Sequence, residues 1–251
     1  MQSKVCMFGW IGIVGVLAWA SGCKRGGEEG SIKQGPTTQK AHKHHTKGHH
    51  KGKMDYKHHD MQHDFSDVKK YARIFENPQR TAWQKPAEVV EKMQIKAGMH
   101  IADIGAGTGY FLPYLHKAVG ATGHVEGLDI NGPMVKHMAE RIQKAGWSNV
   151  KARQVKTDDP QLANQSVDRV LVVNTWHHIA DRVAYAKKIK AGLKVGGSVW
   201  IVDFTMEAKR GPNKKHRLSP AQVIKEFQEA GLKARIVPSS LPDQYIVEGA
   251  L

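Results

Sequence analysis

Three glycines spaced by single residues, Gly105, Gly107 and Gly109, follow directly on the short run Ile101-Ala102-Asp103-Ile104. Glycine is needed where a backbone bends sharply and must approach a ligand with no side chain in between. A short apolar run ending in such a turn reads as a buried strand feeding a helix. Chains that repeat this unit build parallel sheets, because parallel neighbours need a crossover connection. This chain does repeat it. Strands are expected at 100–104, 124–129, 150–155, 168–173 and 198–203, and helices at 110–119, 133–145, 181–193 and 220–230, with a short helical turn near Gln161. Two last runs, 234–237 and 245–248, are joined through Pro238, Leu241 and Pro242 by a connection too short for a crossover, which predicts an antiparallel hairpin. Ahead of the sheet, 67–76 has near-helical apolar spacing closed by Asn77-Pro78, and a second helix opens at Pro86 and closes near Gly98.

The chemistry around the turn is specific. Tyr110 stands where a dinucleotide-binding fingerprint wants its third small residue, and Asp103 puts a carboxylate beside the loop, which suits an ammonium or sulfonium and suits a pyrophosphate poorly. Asp129 ends the second strand twenty residues after Gly109, where an acidic side chain can accept both hydroxyls of a ribose. A tight turn without a ligand is the alternative for the glycines alone. Taken together, Asp103, the glycine triplet and Asp129 resemble the first two motifs of class I S-adenosylmethionine-dependent methyltransferases, over about 150 residues from Gly98 onward, and the terminal hairpin resembles the usual ending of that family.

The resemblance implies an α/β, Rossmann-like seven-stranded sheet, mostly parallel, with a C-terminal antiparallel hairpin and helices on both faces. It implies methyl transfer as the reaction and S-adenosylmethionine as the cofactor. Asp103 would hold the methionine end directly or through water, Gly105, Ala106, Gly107 and Gly109 would line it, Asp129 would take the ribose and Ile130 would pack on adenine. Asp158 would read the adenine amino group, with Asp159 as its neighbour and competitor and a plain Asp-Asp-Pro turn as the other reading; Asn174 is also placed among the cofactor contacts.

Beyond the fourth strand the chain reads Asn174-Thr175-Trp176-His177-His178. Either His177 or His178 is a candidate general base, the alternative being loop histidines that cap a helix or pack under Trp176. Asp203, at the end of the fifth strand, is a second catalytic candidate that orients an acceptor or else binds Arg217 or another cation of the basic loop. Tyr71, Phe75 and Trp83 either form an aromatic lid or pack on the sheet edge. Displacement at a sulfonium depends on alignment more than on acid or base. Enzymes that methylate nucleic-acid bases on their amino groups often carry Asp/Asn-Pro-Pro-aromatic here, and this chain lacks both prolines. The acceptor is left as a small metabolite, a lipid, a quinone or a protein.

The N-terminal quarter has different chemistry. Residues 5–20 are apolar, follow Lys4, and lead into Ala20-Ser21-Gly22-Cys23, which reads as a signal peptide and resembles the lipobox of bacterial lipoproteins, with Ala20 where Leu is usual. Lys24, Arg25, Lys33 and Lys40 beyond the run favour instead a cytoplasmic-facing anchor. Segment 1–23 is therefore expected to be a signal peptide or anchor, giving a membrane-anchored envelope protein. Segment 24–66 is expected to be a disordered linker whose His42, His44, His45, His49, His50, His58, His59 and His63 bind divalent metal loosely. Residues 67–251 form the domain. The two cysteines, Cys6 and Cys23, both lie outside it, so it has neither a disulfide framework nor a cysteine metal site, and no metal ligand set is assigned.

The formal charge of +15 is shared by both parts, and basic residues cluster at 187–194 and 209–217. They would attract nucleic acid, but no nucleic-acid-binding module accompanies them and a membrane tether argues against that partner. The rival readings are an NAD-dependent oxidoreductase and a non-catalytic envelope protein that binds cofactor or metal.

Overall fold

The strand ahead of the glycine turn, β1 (His100–Ile104), lies inside the sheet with Ile101, Ala102 and Ile104 almost wholly buried, as a parallel strand covered on both faces requires. The structure is a computed structural model and describes residues 67–251. The signal-peptide or anchor segment with Cys23 and the His-rich stretch lie outside the described residues.

On one side of β1 run β2 (His124–Asp129) and β3 (Val150–Gln154), and on the other β4 (Val167–Val173) and β5 (Leu193–Phe204), all parallel. The hairpin β6 (Lys233–Val237) and β7 (Gln244–Ala250) completes seven strands in the order β3-β2-β1-β4-β5-β7-β6, with β7 antiparallel to both neighbours. Strand order reverses between β1 and β4, and it is beyond the carboxyl ends of the strands at such a reversal that open α/β sheets bind their ligands.

Three short helices, α1 (Val68–Phe75), α2 (Arg80–Gln84) and α3 (Pro86–Lys92), precede the sheet; α4 (Leu112–Val119), α5 (Gly132–Ala145), α6 (Arg182–Gly192) and α7 (Pro220–Glu229) are interleaved with it. The core divides into two clusters. One contains Trp176, Ile189 and Phe227 with the even-facing residues Ala102, Val170 and Val172; the other contains Val89, Leu112, Leu115 and Met138 with Ile101, Leu171 and Val173. Alternate residues of one strand thus enter opposite cores, which is the two-residue period of a pleated strand. Side chains of Asn131, Asp181 and Ser219 accept from the backbone N–H three residues on and start α5, α6 and α7.

The Rossmann-like sheet and its terminal hairpin agree with the sequence, and the details differ in three places. No helix forms near Gln161: Asp159 accepts the N–H of Gln161 at 2.7 Å and Lys156 bridges Asp159, so the Asp-Asp-Pro turn wins over helix. β5 begins at Leu193 instead of Ser198, because Leu193 already pairs with Val167 ahead of the irregularity near Gly196 and Gly197. The five-residue α2 is too short to leave a periodic signal.

One polar anchor holds the cluster around Trp176. The fully buried Trp176 donates its indole N–H to Glu226 (2.9 Å), whose other oxygen accepts from Arg182 (2.8 Å) and Gln222 (2.9 Å). Glu226→Ala strands these donors and is expected to lower stability by about 3 kcal/mol in urea unfolding, whereas Glu226→Gln, which keeps an acceptor, should lose distinctly less.

Candidate functional site

The turn after β1 is shaped by backbone angles and by its neighbours. Gly105, Gly107 and Gly109 have φ of 71°, 57° and 80°, the left-handed region that side chains disfavour. The N–H groups of Gly105 and Ala106 donate to the carbonyl of Leu128 at 2.8 and 3.0 Å, and that of Gly107 to Asp129 Oδ2 at 2.8 Å, which ties the turn to the end of β2. A Cβ at Gly105 would lie 2.3 Å from Thr175 Oγ1 and one at Gly109 2.7 Å from Leu112, whereas at Gly107 it would meet the Phe75 ring only at 3.5 Å. Protein packing therefore fills the side-chain space at Gly105 and Gly109, and their backbone alone is left to face a ligand.

Two carboxylates flank this turn. Asp129 accepts the N–H of Gly107 through one oxygen and that of Asn131 (2.9 Å) through the other; burial raises its carboxyl above the usual range against these bonds. Asp103 is buried, and desolvation pushes its carboxyl up to about 7, with Arg80 pulling it down and Asp129 adding to the rise. The hydroxyl of Thr108, between the last two glycines, is buried and has no hydrogen-bond partner. Carboxylates, an unsatisfied hydroxyl and a short glycine turn suit a ligand with a cation and sugar hydroxyls. They do not suit a pyrophosphate. At the end of β2, Ile130 is 50% exposed and so offers an apolar surface. Asp158 is exposed, with Lys188 Nζ 3.6 Å from its carboxylate and 3.6 Å from that of Asp159, the residue committed to the turn.

Burial of Asp103 has a cost that can be measured. Its folded value lies above the 3.8 of a free carboxyl, so the native state holds this proton more tightly than the unfolded chain. The stability it contributes is full below about pH 3.8 and is lost as pH rises through about 7. Asp103→Asn is expected to make the free protein more stable at pH 8 by about 2–4 kcal/mol, the gain shrinking towards pH 5, in thermal or urea unfolding.

Beyond the neighbouring strands, His177 lies in a short 3-10 turn after β4 and Asp203 near the end of β5. These strands are neighbours, with Val173 paired to Val202. His177 Nδ1 lies 2.9 and 2.8 Å from the two oxygens of Asp203, and both side chains are buried. A neutral His177 held this way carries its proton on Nδ1 and leaves Nε2 as the basic nitrogen. His178 is exposed with its ring centroid 4.2 Å from that of His177. Arg217 does not pair with Asp203; it donates to the carbonyls of Pro212, Thr205 and Ala208 and shapes the basic loop. The phenol of Tyr245 is buried without a partner and is raised by burial and by the charge of Asp203.

Asn174 has a left-handed backbone (φ 54°), and its side chain is taken up by protein groups. Its oxygen accepts from Gln244 (2.6 Å), its nitrogen donates to Gln84 (3.3 Å), and Gln84 donates to Gln244 (2.5 Å), closing a ring of three amides. Arg80 joins this ring by donating to Gln84, and its guanidinium stacks 4.0 Å over Tyr110, the residue after the last glycine. Phe75 reaches Gly107 and Trp83 stacks on Phe204 at 6.1 Å, so the leading segment covers the turn as well as packing on the sheet. Arg80, Gln84 and Gln244 have no motif or periodicity that marks them in the sequence.

A family model described as a methyltransferase domain matches residues 95–236, more than half of the chain. Among curated proteins, a demethylmenaquinone methyltransferase from Staphylococcus aureus is 31% identical over 134 residues, covering 52% of this chain and 54% of that protein. Another from Alkalihalophilus pseudofirmus is 27% identical over 118 residues, covering 47% and 49%. The chain thus spans about half the length of the curated relatives it matches. A solved S-adenosylmethionine-dependent methyltransferase from Aquifex aeolicus superposes with a TM-score of 0.69 at 27% identity, covering 75% of this chain and 99% of that one. A Haloferax volcanii methyltransferase, solved with its Trm112 activator, shares the fold at 19% identity and a TM-score of 0.59, over 73% of this chain and 95% of that one. With the glycine turn, the flanking carboxylates and the terminal hairpin in place, the chain belongs to the methyltransferase-domain family.

Proposed function

We propose that this protein transfers the methyl group of S-adenosylmethionine to an acceptor that gives up a proton, and that the acceptor is a quinone-type ring in its reduced, hydroquinone form. The observation that carries the cofactor reading is the pair Asp103 and Asp129 on either side of the glycine turn. Asp129 would hold the ribose hydroxyls, Asp103 the ammonium of the methionine end, and Ile130 the adenine face. The bound cofactor supplies an electrophilic methyl group on a sulfonium. The chain's own residues align the acceptor, exclude water and take its proton.

That last task falls to His177. Asp203 fixes the Nδ1 proton and stabilises the imidazolium formed when Nε2 accepts a proton. The hydroquinone's ring carbon would bond to the methyl group as the methyl–sulfur bond breaks, and the proton lost by the acceptor would go to Nε2, which balances the departure of a neutral thioether. Similarity to proteins named for demethylmenaquinone supports the quinone class, and so does the apolar run at 5–20, which would tether the enzyme at the bacterial envelope where apolar acceptors reside. Among the described residues no helix is long and apolar enough to cross a membrane, so a tether would rest on that run.

The test is incubation of the full chain with methyl-labelled S-adenosylmethionine and demethylmenaquinone kept reduced to its hydroquinone by dithionite, in detergent micelles. Label in the quinone, lost in His177→Ala, is the expected result. Label that enters only a lipid or protein fraction would overturn the quinone assignment.

A further inference from the structure

The methionine end of the proposed cofactor carries an ammonium and a carboxylate on one carbon, and Asp103 answers only the first. A carboxylate drawn out of water needs a cation or several N–H donors. Two guanidinium groups lie at the turn. Arg141 donates to the carbonyl of Thr108 and lies 3.5 Å from the carboxylate of Glu76, so it already has an anion. Arg80 has none in contact among the described residues. Its bonds go to neutral oxygens, the carbonyl of Phe75 at 2.9 Å and the amide of Gln84 at 3.2 and 3.4 Å. These bonds use three of five N–H groups and leave one on each terminal nitrogen. Its plane is held against Tyr110, and Thr81, the next residue, shares a hydrogen bond of 3.0 Å with the Tyr110 hydroxyl.

We propose that Arg80 binds the carboxylate of the cofactor's methionine moiety and makes the site selective for carboxylate-bearing over decarboxylated S-adenosyl ligands. The inference rests on the cofactor reading above. Arg80 lies outside residues 95–236, so the matched family region does not contain it. Its charge is felt at Asp103, and partial burial lowers its own value to about 10, both as expected of a half-buried cation over the turn. The planar fork suits a carboxylate, and the amide ring of Gln84, Gln244 and Asn174 fixes its orientation.

The experiment is calorimetric titration of the full chain with S-adenosylmethionine and with decarboxylated S-adenosylmethionine, which keeps the ammonium and lacks the carboxylate. The wild type should prefer the carboxylate-bearing ligand by about tenfold or more. Arg80→Gln should lose that preference and bind the decarboxylated ligand about as well as the wild type, and Arg80→Lys should keep part of it. Melting curves confirm that the variants fold, and if Arg80→Gln does not, the wild-type preference and Arg80→Lys decide. Equal affinities in the wild type, or an equal loss for both ligands in Arg80→Gln, would overturn the proposal. A wild type that binds neither ligand would remove the cofactor reading and this site with it.

Discussion

Asp129→Ala is expected to lower affinity for S-adenosylhomocysteine by about a hundredfold or more, since two charge-assisted hydrogen bonds to ribose are worth about 1.5–3 kcal/mol each. The residue sits at the end of β2 with both oxygens already anchored by the N–H groups of Gly107 and Asn131. Those bonds aim the carboxylate before any ligand arrives, so little ordering entropy is lost on binding. The same bonds complicate the alanine variant, because removing them loosens the glycine turn. Asp129→Asn separates the effects: it keeps one oxygen for Gly107 or Asn131 and loses the charge. It should melt closer to the wild type than Asp129→Ala does and still bind at least about tenfold more weakly. If both variants bound as tightly as wild type, the ribose assignment would be wrong.

The second large effect is expected at the buried pair. His177→Ala should reduce kcat by about a hundredfold to ten-thousandfold with cofactor affinity unchanged, which is the range that a positioned general base contributes. Asp203→Asn is more informative. A carboxamide can donate to Nδ1, which would force the histidine proton onto Nε2 and abolish its basicity while keeping the contact. A fall in kcat comparable to that of His177→Ala, with the melting temperature largely retained, is the signature of tautomer control. If Asp203→Asn turned over normally, the pair would be structural, and alignment alone would carry the reaction.

Much of the fold is written in local patterns. Ile101 to Ile104, Val170 to Val173 and Val199 to Val202 are runs that only a strand covered on both faces can bury, and their spacing by helices dictates parallel pairing. The glycines and the two flanking acids were legible for the same reason: each lies within one βα unit or at the end of the next strand. His177 and Asp203 were each visible as candidates, but their contact depends on β4 and β5 being neighbours and ending level, which is a property of the sheet and not of either segment. Asn174 shows the opposite limit. Its side chain meets Gln84 and Gln244, 90 and 70 residues away, and neither partner has a spacing that betrays it. Arg80 stayed hidden because a single cation in a five-residue helix resembles any surface residue until the fold lays it over Tyr110.

These arguments meet in one titration. Calorimetry of the full chain with S-adenosylhomocysteine, alongside NAD as a control, should give binding in about the micromolar range for the first and none for the second. No binding of S-adenosylhomocysteine, or a preference for NAD, would contradict the assignment of the glycine turn and its two carboxylates to a methyl-donor site.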